Sequence, residues 1–108
     1  MRATQLTPAE FRLLDDWARN VRELFNGEVP YLVGSVLDRR DFRDIDVRLM
    51  LDPGPYATLD ALFDVKRLGA VVSIWGWRVT GGMNIDFQIQ ESDAANREFP
   101  GVRHALGL

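Results

Sequence analysis

Asp44-Ile45-Asp46-Val47-Arg48-Leu49-Met50-Leu51 alternates without a break. Ile45, Val47, Leu49 and Leu51 fall on one side of an extended chain, and Asp44, Asp46, Arg48 and Met50 on the other. That is the period of a half-buried strand. Asn84-Ile85-Asp86-Phe87-Gln88-Ile89-Gln90 repeats the pattern, with Ile85, Phe87 and Ile89 apolar and Asn84, Asp86, Gln88 and Gln90 polar. Two such strands sharing an apolar face would bring Asp44, Asp46 and Asp86 together on the other face.

The segments around these strands read as follows. Thr7-Pro8-Ala9-Glu10 is a capping box with proline at the first helical position, and Leu6 and Phe11 are placed as a hydrophobic staple. Phe11, Leu14, Trp17, Ala18, Val21, Leu24 and Phe25 keep a helical period, and Asn26-Gly27 supplies a left-handed stop, so a helix is expected from about Pro8 to Phe25. Val29 to Val33 is a short buried strand ended by the turn Gly34-Ser35, and a charged connector follows from Val36 to Arg43 with room for one helical turn. Asp52-Pro53-Gly54-Pro55 has turn chemistry. Thr58 is placed to cap a second helix through Leu59, Leu62, Phe63 and Lys66, and helix is preferred over strand for Ala70 to Val79, with an interruption near Gly69. A helical connection of this kind suits two parallel or mixed strands. Thr80-Gly81-Gly82 is a break, and the residues after Glu91 form a polar stretch and a short tail. The expected fold is α/β (α+β), one domain over 1–108, with a small mixed sheet of three or four strands and helices packed on one face.

Composition narrows the function. Cysteine is absent, which excludes disulfides, thiolate catalysis and Cys-based zinc, and fits a cytoplasmic setting. The net charge of −3 argues against a general nucleic-acid-binding surface. No apolar run is long enough to span a membrane and no secretory leader is expected. The single histidine, His104, is assigned no role, and Trp17, Trp75 and Trp77 are read as core residues; exposure of Trp75 or Trp77 would instead mark a dimer or partner surface.

The acidic face has a specific chemistry. Two carboxylates two residues apart on a strand repel unless a cation lies between them. Oxygen-only ligands suit Mg²⁺, with phosphate oxygens and water completing its shell. Gly34 allows close approach of a phosphate, and the N–H groups and serine hydroxyl of the turn add donors. The plainer alternative for the acidic pair is a solvated face, paired with Arg48.

Gly34-Ser35, then Asp44-Ile45-Asp46, then Asp86 in a later strand resembles the polymerase-β-type nucleotidyltransferase superfamily, and most of all its minimal members, the short catalytic cores of bacteria and their phages. The resemblance covers roughly Tyr31 to Gln90. It implies that Gly34 and Ser35 hold the triphosphate, and that Asp44 and Asp46 bind two Mg²⁺ ions, for which Mn²⁺ can substitute. It implies that Asp86 is the third metal carboxylate and helps deprotonate the acceptor. Many minimal members carry an arginine three positions after the serine; here Asp38 stands there and Arg39 follows, so Arg39 is the candidate triphosphate contact. The spacing of eight residues between Ser35 and Asp44 is at the short end, and the helical region that holds base and acceptor in most members has no counterpart. The implied activity is ATP- or other NTP-dependent transfer of NMP to a hydroxyl on a protein, an RNA or a small molecule. The alternative is an inactive nucleotide-binding or partner-binding regulatory module, in a toxin–antitoxin-like or phage–host pair or a homodimer.

Overall fold

The computed structural model describes residues 4–108. Its first helix, α1 (Pro8–Leu24), begins where the capping box places it: Thr7 Oγ1 accepts the Glu10 N–H at 3.1 Å and Glu10 Oε1 accepts the Thr7 N–H at 2.9 Å. Leu6 is buried beneath the entry and Phe11 packs on the core. The helix stops at Asn26 (φ 57°) and Gly27 (φ 87°), so the left-handed exit is shared by both residues. Leu14, Trp17, Ala18 and Val21 form its buried stripe.

Four strands follow: β1 (Pro30–Val33), β2 (Ile45–Leu51), β3 (Ile85–Glu91) and β4 (His104–Ala105). Their order in the sheet is β3-β2-β1-β4. β1 is antiparallel to β2 and β4, while β2 and β3 are parallel, so the sheet is mixed. Ile45, Val47, Leu49, Leu51, Ile85, Phe87 and Ile89 are all buried and face α1 and the third helix. Trp17 sets its ring edge-on to Phe87, with centroids 5.9 Å apart, at the centre of this layer.

The connection between β2 and β3 is helical, as expected, but its boundaries differ. Asp52-Pro53-Gly54-Pro55 does not form a separate turn; Asp52 is the N-cap and Pro53 the first residue of α2 (Pro53–Leu62). Proline at that position needs no intrahelical donor, so the same residues that end a strand also start a helix. Thr58 lies inside α2 rather than capping it. The interruption falls at Phe63-Asp64, not near Gly69, because Asp64 Oδ1 accepts the N–H groups of Lys66 (3.1 Å) and Arg67 (3.3 Å) and starts α3 (Val65–Val79). Ala70 to Val79 is therefore helix.

The tail is more ordered than its polar composition implies. Ser92–Glu98 forms α4, and His104–Ala105 adds β4 beside β1. His104 has a packing role, edge-on to Phe11 with centroids 5.3 Å apart. α1 and α3 cover one face of the sheet, while the segment from α4 onward crosses part of the other, where Arg103 lies over the Tyr31 ring. Among the described residues no helix is long and apolar enough to cross a membrane.

α3 lies directly on the free edge of β3, and small residues make this possible. A Cβ at Gly69 would sit 3.1 Å from the Phe87 carbonyl oxygen, and one at Gly76 would sit 2.9 Å from the Trp17 ring. Between them, Ser73 Oγ accepts the Phe87 N–H at 2.8 Å and donates to the Gly69 carbonyl at 2.9 Å. An edge amide that would otherwise pair with another chain is thus consumed internally. Replacing Ser73 by alanine orphans that amide, and the expected cost is about 1–3 kcal/mol. Urea unfolding measures the loss, and amide exchange at Phe87 accelerates in the variant; unchanged exchange at Phe87 would show that the edge is protected by burial alone.

Candidate functional site

β1 hands the chain to a 3-10 turn, Gly34–Leu37, at the point where it lies beside Asp46: Val33 and Asp46 are cross-strand partners. Gly34 then adopts φ +80°, and a Cβ added there would fall 2.5 Å from Asp46 Oδ2. Only glycine brings backbone this close to the carboxylate without displacing it. The turn winds back on itself, with the Ser35 carbonyl accepting the N–H groups of Asp38 (3.1 Å) and Arg39 (2.8 Å). Arg39 is thereby set beside Ser35, and its guanidinium pairs with both oxygens of Asp41 at 3.1 and 3.0 Å.

The result is one open cavity of about 360 Å³ lined by Ser35, Arg39, Asp41, Phe42, Arg43, Asp44 and Asp46. Four of the residues singled out in the sequence therefore meet there, and Gly34 backs the Asp46 carboxylate. Asp44 precedes β2 and is steadied by Asn84, whose Nδ2 donates to Asp44 Oδ1 at 2.7 Å from the start of the neighbouring strand. The lining carries two arginines and three carboxylates, one of which, Asp41, is already paired with Arg39; such a mixture of charges suits an anion bridged to a cation.

Asp86 is the direct partner of Asp46 in the parallel β2–β3 register, so both project from the same face. It borders a different depression, between β3 and α3, and is not part of the cavity wall. Arg48 explains the separation. Its guanidinium Nη2 lies 3.7 Å from Asp46, 3.5 Å from Asp86 and 3.6 Å from Glu98. Nη1 donates to the carbonyls of Asp86 (2.7 Å) and Val47 (3.1 Å). The Phe99 ring covers it at 5.1 Å, and the side chain is only 3% exposed.

The alternation of β2 marked Arg48 as outward-facing, and so it is; the tail that buries it was read as irregular. Glu98 and Phe99 were missed for the same reason, since nothing in their local sequence ties them to β2. Asn84 was assigned to the polar face, and its partnership with Asp44 follows from the parallel register. Among the described residues no three carboxylates are grouped closely enough to hold one cation together. The hard oxygen donors of Asp44 and Asp46, beside the Gly34-Ser35 turn, have the chemistry to fit Mg²⁺.

The Asp46 carboxyl is pushed up to about 6, mainly by burial; Arg48 pulls it down and the charges of Asp86, Asp44 and Glu98 push it further up. A carboxyl raised from its ordinary 3.8 to about 6 favours the folded chain fully in acid and loses that contribution as pH climbs through this range. In the metal-free protein, ionised Asp46 is therefore a cost at neutral pH. Asp46→Asn is expected to stabilise the chain by about 1 kcal/mol at neutral pH, after allowance for partial exposure, and to flatten the profile between acid and neutral. Urea unfolding in a chelator across that range tests this, and a variant less stable than the parent at neutral pH would show that the carboxylate is a structural asset instead.

No protein-family model, curated protein or solved structure matches this chain, so the functional reading rests on the geometry of these residues.

Proposed function

We propose that the chain is a Mg²⁺-dependent nucleotidyltransferase that moves NMP from an NTP to a hydroxyl acceptor. The observation that carries this reading is the seating of the Gly34 turn on the Asp46 carboxylate, with Ser35, Arg39, Asp44 and Asp46 around one cavity. A phosphate-binding turn and a cation-binding pair within one small volume is the arrangement that a metal-bound triphosphate requires.

In this mechanism the turn N–H groups, the Ser35 hydroxyl and Arg39 bind the β- and γ-phosphates and orient the α-phosphorus. Asp44 and Asp46 would hold Mg²⁺, which would supply charge neutralisation for the triphosphate. The acceptor oxygen forms a bond to the α-phosphorus as the bond to the β-phosphate oxygen breaks, and pyrophosphate leaves. The acceptor proton passes to Asp86, whose side chain is 41% exposed and whose oxygens also take the Gln88 amide at 3.2 and 3.3 Å. Positioning and charge neutralisation supply most of the rate. Arg39 must exchange its Asp41 partner for phosphate, and both are exposed enough to do so. The cytoplasm supplies the NTP and Mg²⁺ for this chemistry.

Labelled NTPs incubated with the protein, Mg²⁺ or Mn²⁺ and cell extract identify base and acceptor together. Asp44→Asn and Asp46→Asn are each expected to reduce label transfer by about a hundredfold or more. Transfer that survives both substitutions would refute the assignment.

One observation favours a second reading, binding without turnover. Val71, Ile74 and Trp77 form an exposed apolar stripe along α3. Patches of this type mark partner surfaces. Calorimetry that shows metal-dependent NTP binding with no product over hours would select a regulatory module over an enzyme.

A further inference from the structure

We propose that Arg48 acts as a built-in cation that takes the place of a second metal ion, so that the site accepts one divalent ion, held by Asp44 and Asp46, and Asp86 is not a metal ligand. The inference rests on the metal reading of the cavity given above and specifies its stoichiometry.

The position between Asp46 and Asp86 is the place where an ion bridging those two strands would sit. It already holds a positive charge: Nη2 is 3.7 Å from one carboxylate and 3.5 Å from the other. An Mg²⁺ ion bound there would need oxygens at about 2.1 Å, which puts it in contact with the guanidinium and against its charge. Arg48 has no route out. It is tied to two backbone carbonyls at 2.7 and 3.1 Å, covered by Phe99, and 3% exposed. A swing toward solvent would break both bonds and the contact with Phe99.

The arrangement is not explained by stability alone. Arg48 Nε is buried without a partner, an arrangement that native structures ordinarily avoid. A buried ion pair is itself a weak source of stability, and an apolar residue of similar volume is often as good. What Arg48 does supply is a fixed charge that offsets the repulsion between Asp46 and Asp86, which the strand register places side by side. Glu98 reaches the same guanidinium at 3.6 Å from α4, so the tail locks the head group on a third side. Arg48 is in this sense a positioning residue. Asp46 shares its carboxylate between Arg48 and the cavity, and Asp86 keeps its free edge toward solvent.

The test is direct binding of Mn²⁺ to the protein without nucleotide, followed by electron paramagnetic resonance of the free ion. The parent chain is expected to bind one ion. Asp46→Asn should weaken binding by at least about tenfold, whereas Asp86→Asn should leave the affinity within about twofold, as for a residue that does not touch the ion. Arg48→Met should admit a second ion and make thermal stability rise with Mn²⁺ concentration well beyond the rise seen in the parent; Arg48→Lys, which retains a charge, should still bind one. Two ions in the parent, or a large loss of affinity in Asp86→Asn, would overturn the proposal while leaving the metal reading intact. The Asp86→Asn comparison stands whether or not Arg48→Met folds. Absence of any Mn²⁺ binding by the parent would overturn both.

Discussion

The polar face of this sheet is organised around the Arg48 guanidinium. The parallel register of β2 and β3 makes Asp46 and Asp86 direct neighbours, and adjacent strands are only about 4.8 Å apart. Two carboxylates roughly 5 Å apart repel by about 3 kcal/mol at an effective dielectric near 20. A charge of opposite sign between them converts this into attraction on both sides, and Arg48 is that charge. The remaining architecture of this face follows from keeping the guanidinium there: α4 places Glu98, the chain after it places Phe99, and Arg103 fixes the same segment by lying over Tyr31.

The opposite face obeys a different constraint. A parallel β2–β3 pair needs a long crossover, and here α2 and α3 form it. α3 must return over the sheet close enough to bury Ile85 and Phe87 against Trp17, and the Gly69–Ser73–Gly76 stripe sets how close it comes. The cost of this close approach is that the helix turns its other side, with Val71, Ile74 and Trp77, to solvent. Trp75 by contrast reaches inward, edge-on to Trp17 at 6.4 Å. The three tryptophans therefore divide by helical phase: two belong to the core layer and Trp77 does not.

Period and capping chemistry made much of this legible in the sequence. The alternation of residues 45–51 and 85–89 assigned both faces correctly because each strand has one dry side, and the Thr7 box located the start of α1 because its two hydrogen bonds are local. The sharing of one face by Asp46 and Asp86, and the approach of Gly34 to that face, were likewise expected from strand periodicity and from the turn after β1. The misplaced elements are those where one residue type serves two purposes. Asp-Pro-Gly-Pro reads as a turn, yet Asp52 and Pro53 open a helix; Phe63 ends that helix and Asp64 caps the next, a boundary that Gly69 only mimics. α4 and β4 depend on tertiary partners: a seven-residue helix and a two-residue strand have too little local signal to be distinguished from coil. The pairing of Arg48 with the acidic face was legible as the plainer alternative, but its burial was not, since Glu98 and Phe99 lie about fifty positions away in sequence.

Asp46 lies at the centre of the polar face, and its energetics bear on the proposed chemistry. Its backbone is held in the centre of the sheet between β1 and β3, so its carboxylate cannot move away from Gly34, Arg48 or the cavity. Burial and negative neighbours raise its pKa to about 6, which makes its ionised form more demanding of a cation than an exposed aspartate would be. Arg48 satisfies part of that demand from the same face of the strand, while the other side of the carboxylate borders the cavity with Ser35 and Arg39. The same crowding assigns Gly34 its place, because a Cβ there would fall 2.5 Å from Asp46 Oδ2 and displace the carboxylate.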